Sequence, residues 1–302
     1  MREIVIPQNR RPPLYERVAR DLSTALIVGL AIGLTLMFTG VAEALGIIYS
    51  SPEHDWHAYY GAAQRLRDGA ELYPPVADPT AESVYRYAPW FAILWVPLTF
   101  LGREAIGVGW VLAMFACTVV AVWPLLSSRR WGLVLLGSLF APFLASAASN
   151  GNVQPLIIAA LVHTVDQRAG PIVIGIAGSL KGFPLIYAVR YALTGQWRRF
   201  FLAVGVTVAL AGPMLLFDLS HYPITPGPLA GLWVISPTAW AVGVLLGFAP
   251  LIRFARHPAG WFAASFAVVM AIPRLLYVDM TFLLVTGRNF IEEERPAEPP
   301  KY

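Results

Sequence analysis

Long apolar runs, divided by short charged or Pro/Gly-rich breaks, make up most of the chain. The first run, about 22–48, follows a basic segment carrying Arg2, Arg10, Arg11, Arg17 and Arg20. It is longer than a signal-peptide core and long enough to cross the roughly 30 Å hydrocarbon layer of a bilayer. The pattern therefore predicts an uncleaved first helix with its N-terminus in the cytoplasm. Further runs near 87–102, 105–126, 131–148, 153–167, 170–189, 200–217, 231–252 and 260–286 predict eight more spans. Those at 87–102 and 153–167 are short for full crossings. The expected fold is an all-α, polytopic integral-membrane bundle of about nine transmembrane or re-entrant helices. It comprises a basic N-terminus (1–21), one transmembrane domain (22–290) with an outer loop at 50–86, and a polar, Pro-rich, disordered tail (291–302).

Composition narrows the function classes. Hydrophobic residues make up 57% and charged residues 13% of the 302, and the mean hydropathy is +0.60. A soluble domain carries roughly 25% charged residues. A soluble enzyme, a disordered chain and a nucleic-acid binder are thereby set aside. One cysteine, Cys117, leaves no intrachain disulfide. With the N-terminus inside, the predicted spans put the five N-terminal arginines, Arg103, Arg190, Arg198, Arg199, Arg253 and Arg256 on the cytoplasmic side. They put Arg65, Arg67, Arg86, Arg129, Arg130, Arg168 and Arg288 outside. Eleven against seven agrees with the positive-inside rule. Arg129 and Arg130 conflict with it locally, which suggests that the 131–167 hairpin dips into the bilayer without crossing. The long polar loop then faces outward, away from nucleotide sugars, in a plasma membrane of the bacterial inner-membrane kind.

That loop holds the first candidate chemistry. Ser51 as N-cap, Pro52 and the stop at Gly69 predict a helix over 52–68, lying in the membrane interface with Asp55 and Tyr59 on one face. An acid at the water–lipid boundary can have a raised pKa and serve as a base; equally, Asp55 can serve only the helix dipole. His54 and His57 form a weak metal-like pair around it. Tyr73-Pro74-Pro75 forms a rigid exit, and Tyr85, Arg86, Tyr87, Pro89 and Trp90 form an aromatic girdle. Arg86 reads either as an interfacial anchor or as a contact to a lipid phosphate. Lys181 is the only lysine before the tail and lies in a glycine-spaced apolar helix with Gly175, Gly178 and Gly182. An intramembrane lysine points to function, with a lipid phosphate as partner, or to a structural pair with Asp279 or Asp218. Arg274 and Asp279 sit five residues apart on the last run. No internal repeat of the transporter type is visible.

Several segments together resemble a known family. Asp55-Trp56-His57-Ala58-Tyr59-Tyr60, Leu72-Tyr73-Pro74 and Tyr85-Arg86-Tyr87-Ala88-Pro89 are similar to the first-loop signature of GT-C glycosyltransferases, especially glycosyltransferase family 87. Asn150-Gly151-Asn152-Val153-Gln154 stands where that family has a Gly-Gln-x-Asn turn. The run from Gly175 through Lys181 to Pro184 resembles its Gly-rich helix, and Pro273-Arg274 with Tyr277 and Asp279 its last conserved helix. The resemblance implies inverting transfer of a sugar, mannose by default and arabinose otherwise, from a polyprenyl-phosphate donor to a lipid or glycan acceptor. It implies Asp55 as general base, and Lys181, Arg86 and Arg274 at the donor phosphate. Tyr59, Tyr60, Tyr73, Asn152, Gln154 and Asp279 would contact sugar or acceptor. No cofactor is expected beyond the lipid-linked sugar itself, and a divalent metal stays open. Two other readings are a lipid or solute transporter and an inactive envelope-assembly partner.

Overall fold

A computed structural model describes residues 54–76, 84–128, 131–222, 232–273 and 275–287. The first apolar run, Ser51, Pro52, Arg129, Arg130, Arg274, Arg288 and the tail lie outside them. The described residues form eleven α-helices and no strand. Four helical segments are long and apolar enough to cross a membrane: 103–126, 131–149, 197–216 and 237–254. This matches the all-α membrane class expected from the apolar runs.

Helix α1 (Asp55–Arg67) opens the described chain, with His54 at its cap position. It begins at Asp55, three residues later than the predicted start. It ends before Gly69, whose φ of 68° is the left-handed conformation that glycine accepts without steric cost. Trp56, Tyr59, Tyr60, Ala62 and Ala63 are buried, so α1 belongs to the protein core and does not simply float in the interface. A Cβ on Gly107 would come within 2.3 Å of the Trp56 ring. That position of the next long helix admits no side chain.

Helix α2 (Pro89–Trp95) continues as a 3-10 turn, Val96–Phe100. Both ends of this unit meet α1. Tyr59 donates to Tyr87 at 3.2 Å before its start, and Arg67 donates to the Thr99 hydroxyl at 3.2 Å near its end. The chain then enters α3 (Arg103–Leu126), and the Arg103 guanidinium lies 5.8 Å from the Trp56 ring centroid. Arg103 therefore stays at the Asp55 end, where the expected crossing at 87–102 had carried it to the other side. Helix α3 and α4 (Trp131–Ser149) form an antiparallel hairpin of crossing length. Asn150, just after α4, accepts the Asp55 backbone N–H at 2.9 Å. Of the 131–167 hairpin expected to dip, α4 is long and apolar enough to cross a membrane, and the unit 89–100 doubles back on α1.

The rest alternates between two ends. Helix α5 (Gln154–Thr164) leaves the Asp55 end, and α6 (Gly170–Lys181) returns to it. A 3-10 turn (Phe183–Leu185) and α7 (Ile186–Leu193) lead away again. Helix α8 (Trp197–Ala211) with its 3-10 end (Gly212–Leu216) comes back. The short α9 (Leu232–Ile235) precedes α10 (Pro237–Phe254), α11 (Gly260–Ala271) and a final 3-10 helix, Tyr277–Thr286. The run predicted at 170–189 is broken at Gly182, with φ 72°, and the run at 260–286 leaves the helix at Ile272 and Pro273. Helices α6 and α8 meet through glycines: a Cβ on Gly175 would lie 2.6 Å from Val206 and 2.7 Å from the Ala203 carbonyl. Small residues let helix backbones approach closely where lipid gives no hydrophobic drive to association.

The far end is tied by Asp166. It accepts from the Trp261 indole at 2.6 Å and lies 3.7 Å from Arg190, whose guanidinium sits 4.2 Å over the Trp261 ring. Arg199 donates to the Asp166 and Gln167 carbonyls. Gly260 packs on Arg190 so closely that a Cβ would stand 2.6 Å from its Nε. These contacts bring the turn of Arg168 to the end that holds Arg190, Arg198, Arg199, Arg253 and Arg256. The expected separation of Arg168 from that group is corrected. Of the described arginines, six occupy the far end and four, Arg65, Arg67, Arg86 and Arg103, the Asp55 end.

Candidate active site

Both helix breaks open on one cavity of about 620 Å³. The Lys181–Gly182 break lines one side, and Ile272, Pro273 and Leu276 from the second break line another. Non-helical backbone at membrane depth is tolerated where it lines a cavity, because its polar groups otherwise have no partner in lipid. The N-terminus of α1 and the α4–α5 turn complete the wall. Asp55, Arg86, Asn152, Lys181 and Asp279, five of the residues singled out in the sequence, all face this space.

Asp55 is held at three points. It is the first residue of α1, where the helix dipole favours a negative charge. Its N–H donates to Asn150, and its carboxylate accepts from the Asn152 side-chain amide at 2.5 Å. The Asn152 amide is itself oriented, since its Oδ1 accepts the Gln154 N–H at 2.8 Å. Gly151 permits this turn. Its φ is 65°, and a Cβ would lie 2.9 Å from Trp56, while its carbonyl accepts from the Trp110 indole at 2.7 Å. The Asn-Gly-Asn-Val-Gln segment is thus the clamp that presents Asp55 to the cavity.

Positive charge faces the same space. Lys181 is the last residue of α6 and makes no hydrogen bond or ion pair with any described residue. A cation there also complements the helix C-terminus. The structural pairs weighed for it do not form among the described residues. Asp279, almost fully buried, accepts the Leu276 N–H at 3.0 Å and so caps the final 3-10 helix. Asp218 accepts the Ser220 N–H at 2.9 Å, which holds its carboxyl below the usual range. Arg86 lines the cavity beside Tyr87. Arg274 lies outside the described residues.

The remaining candidates stand behind the wall. Tyr59 is fully buried and donates to Tyr87. Tyr60 turns away and donates to the Thr99 and Leu101 carbonyls. Tyr73 donates to the Tyr87 carbonyl at 2.9 Å. Gln154 is fully buried and donates to Thr281 at 3.2 Å. Burial, reinforced by the Asp55 charge, pushes the Tyr59 and Tyr87 hydroxyls upward, so both stay protonated. His54 and His57 have ring centroids 5.8 Å apart, with His57 packed edge-on to Trp56. No group of three or more metal-ligating side chains occurs among the described residues. Sequence reading missed Tyr222, which lines the cavity and donates to the Arg86 carbonyl at 2.9 Å. It also missed Ser179, another lining residue, which accepts from the Trp90 indole at 3.0 Å. Their partners are distant in sequence, and no local pattern marks them.

Residues 85–223 match the family model described as glycosyltransferase family 87. No curated protein and no solved structure matches the chain. The matched segment contains Arg86, Asn152, Lys181 and Tyr222, with Asp55 and Asp279 to either side of it. Over residues 85–223 the resemblance read from the motifs therefore holds, and this match to glycosyltransferase family 87 supports a membrane glycosyltransferase at the family level.

Proposed function

We propose that the cavity transfers a sugar, mannose by family resemblance, from a polyprenyl-phosphate donor to a hydroxyl of a lipid or glycan acceptor, with inversion at the anomeric carbon. The observation that carries this reading is the pairing of Asp55 with Lys181, which makes no hydrogen bond or ion pair with any described residue, in one cavity. Asp55 takes the acceptor proton as the acceptor oxygen attacks C1. The bond from C1 to the phosphate oxygen breaks, and polyprenyl phosphate leaves with that electron pair. Lys181 and Arg86, and Arg274 by resemblance, stabilise its charge. Asp279, with Asn152 beside Asp55, borders the sugar, and Tyr59, Tyr73 and Gln154 hold the wall from behind.

The arginine distribution supports an outward site. With six described arginines at the far end and four at the Asp55 end, the positive-inside rule assigns the far end to the cytoplasm. A plasma-membrane protein with a cytoplasmic N-terminus would then meet lipid-linked and not nucleotide-linked sugars at its cavity.

Asp55→Asn tests the chemistry. In purified protein given a polyprenyl-phosphate sugar, transfer should fall about 10²- to 10⁴-fold, the usual worth of a positioned base, while donor binding persists. Unchanged transfer would remove Asp55 from this role. Movement of the donor across a membrane without a new glycosidic bond would favour transport instead.

A further inference from the structure

Residues 86–88 run between the outer loop and α2 in neither helix nor strand, yet their carbonyls do not go unpaired. Arg86 accepts from Tyr222 at 2.9 Å, Tyr87 from Tyr73 at 2.9 Å and Ala88 from Tyr85 at 2.8 Å. Three successive carbonyls are thus each capped by a different tyrosine hydroxyl. Irregular backbone at a membrane needs such partners, since a carbonyl left unmatched costs on the order of a lost hydrogen bond or more. Tyr73 and Tyr85 come from the same outer loop and stack with ring centroids 6.0 Å apart. Tyr222 differs in arriving 136 residues later, beyond the end of α8. It packs edge-on to Tyr73 at 5.4 Å and is the capping tyrosine that also lines the cavity, beside Arg86.

We propose that Tyr222 is a positioning residue for Arg86: its hydroxyl fixes the Arg86 backbone so that the guanidinium is held at the cavity for an anionic phosphate, coupling the α8 end to that charge. This rests on the reading that the cavity takes a lipid phosphate. Burial pushes the Tyr222 hydroxyl up, so it remains a donor throughout the physiological range. The ring contact to Tyr73 does not need the hydroxyl, so Tyr222→Phe removes the hydrogen bond and keeps the packing.

The test measures binding of undecaprenyl phosphate, and of undecaprenol as its uncharged counterpart, to the full chain in nanodiscs. Tyr222→Phe is expected to weaken phosphate binding about fivefold to tenfold, the scale of one hydrogen bond, with undecaprenol binding unchanged and the melting temperature lowered by no more than the few degrees that one lost hydrogen bond brings. Arg86→Gln should weaken it at least as much, and Tyr222→Phe should then add nothing in the double variant. Unchanged phosphate binding in Tyr222→Phe, equal loss for both lipids, or full additivity with Arg86→Gln overturns the positioning role while leaving the phosphate site in place. A wild-type chain that prefers undecaprenol or binds neither lipid overturns the phosphate reading and this inference together.

Discussion

At the scale of single residues, Asn152 carries more than its motif position implies. It accepts from the Gln154 N–H and donates to Asp55, so its amide has one orientation and Asp55 one neighbour fixed in place. Asn152→Ala should lower kcat about tenfold to a hundredfold, corresponding to the roughly 1–3 kcal/mol of a hydrogen bond to a charged group. Steady-state kinetics of the purified variant checks this, and a rise in KM with kcat intact would make Asn152 a substrate contact instead. Asp55 and Lys181 were legible in the sequence because charge is scarce there and each stands in a recognisable run. Tyr222 was not, because its meaning comes from a carbonyl 136 residues away.

Among the helices, the α6–α8 contact depends on glycine. Gly175→Leu would drive a side chain into Val206 and the Ala203 carbonyl. Overpacking of this kind costs about 1–3 kcal/mol, so the variant should melt several degrees lower in detergent; an unchanged midpoint would show that α8 shifts freely. The long apolar runs foretold the helices well, since length and hydropathy suffice for that. They concealed the breaks. Gly182 and the Ile272–Pro273 stretch sit inside apolar sequence, and nothing in hydropathy separates a continuous helix from two that part around a cavity. The tyrosine-capped stretch has its own signature. Burial raises the hydroxyls of Tyr73, Tyr85 and Tyr87. A phenol raised in the fold contributes stability that is complete below its ordinary value near 10 and is lost as pH climbs above it. Absorbance of ionised phenol should therefore rise in two stages, with these tyrosines titrating only as the protein unfolds; a single normal titration would place them in water.

Across the whole molecule, the arginines sort by end in a way that spans drawn from hydropathy did not. The unit 89–100 doubles back on α1, and that one departure reversed the expected sides of Arg103 and Arg168. Single-cysteine variants in a Cys117→Ser background give the check. A cysteine at position 168 should be labelled from the same face as one at 256, and one at 103 from the opposite face. Labelling of 103 together with 256, and of 168 from the opposite face, would restore the topology drawn from hydropathy.

The final 3-10 helix bears on reach. Over Tyr277–Thr286 it advances about 2.0 Å per residue where an α-helix advances about 1.5 Å. Ten residues thus extend about 20 Å and not about 15 Å. The segment runs from Asp279 at the cavity to Gly287, which packs against Leu125 near the end of α3. A tighter winding lets these ten residues carry the chain about 5 Å farther from the cavity wall than the same number would as an α-helix.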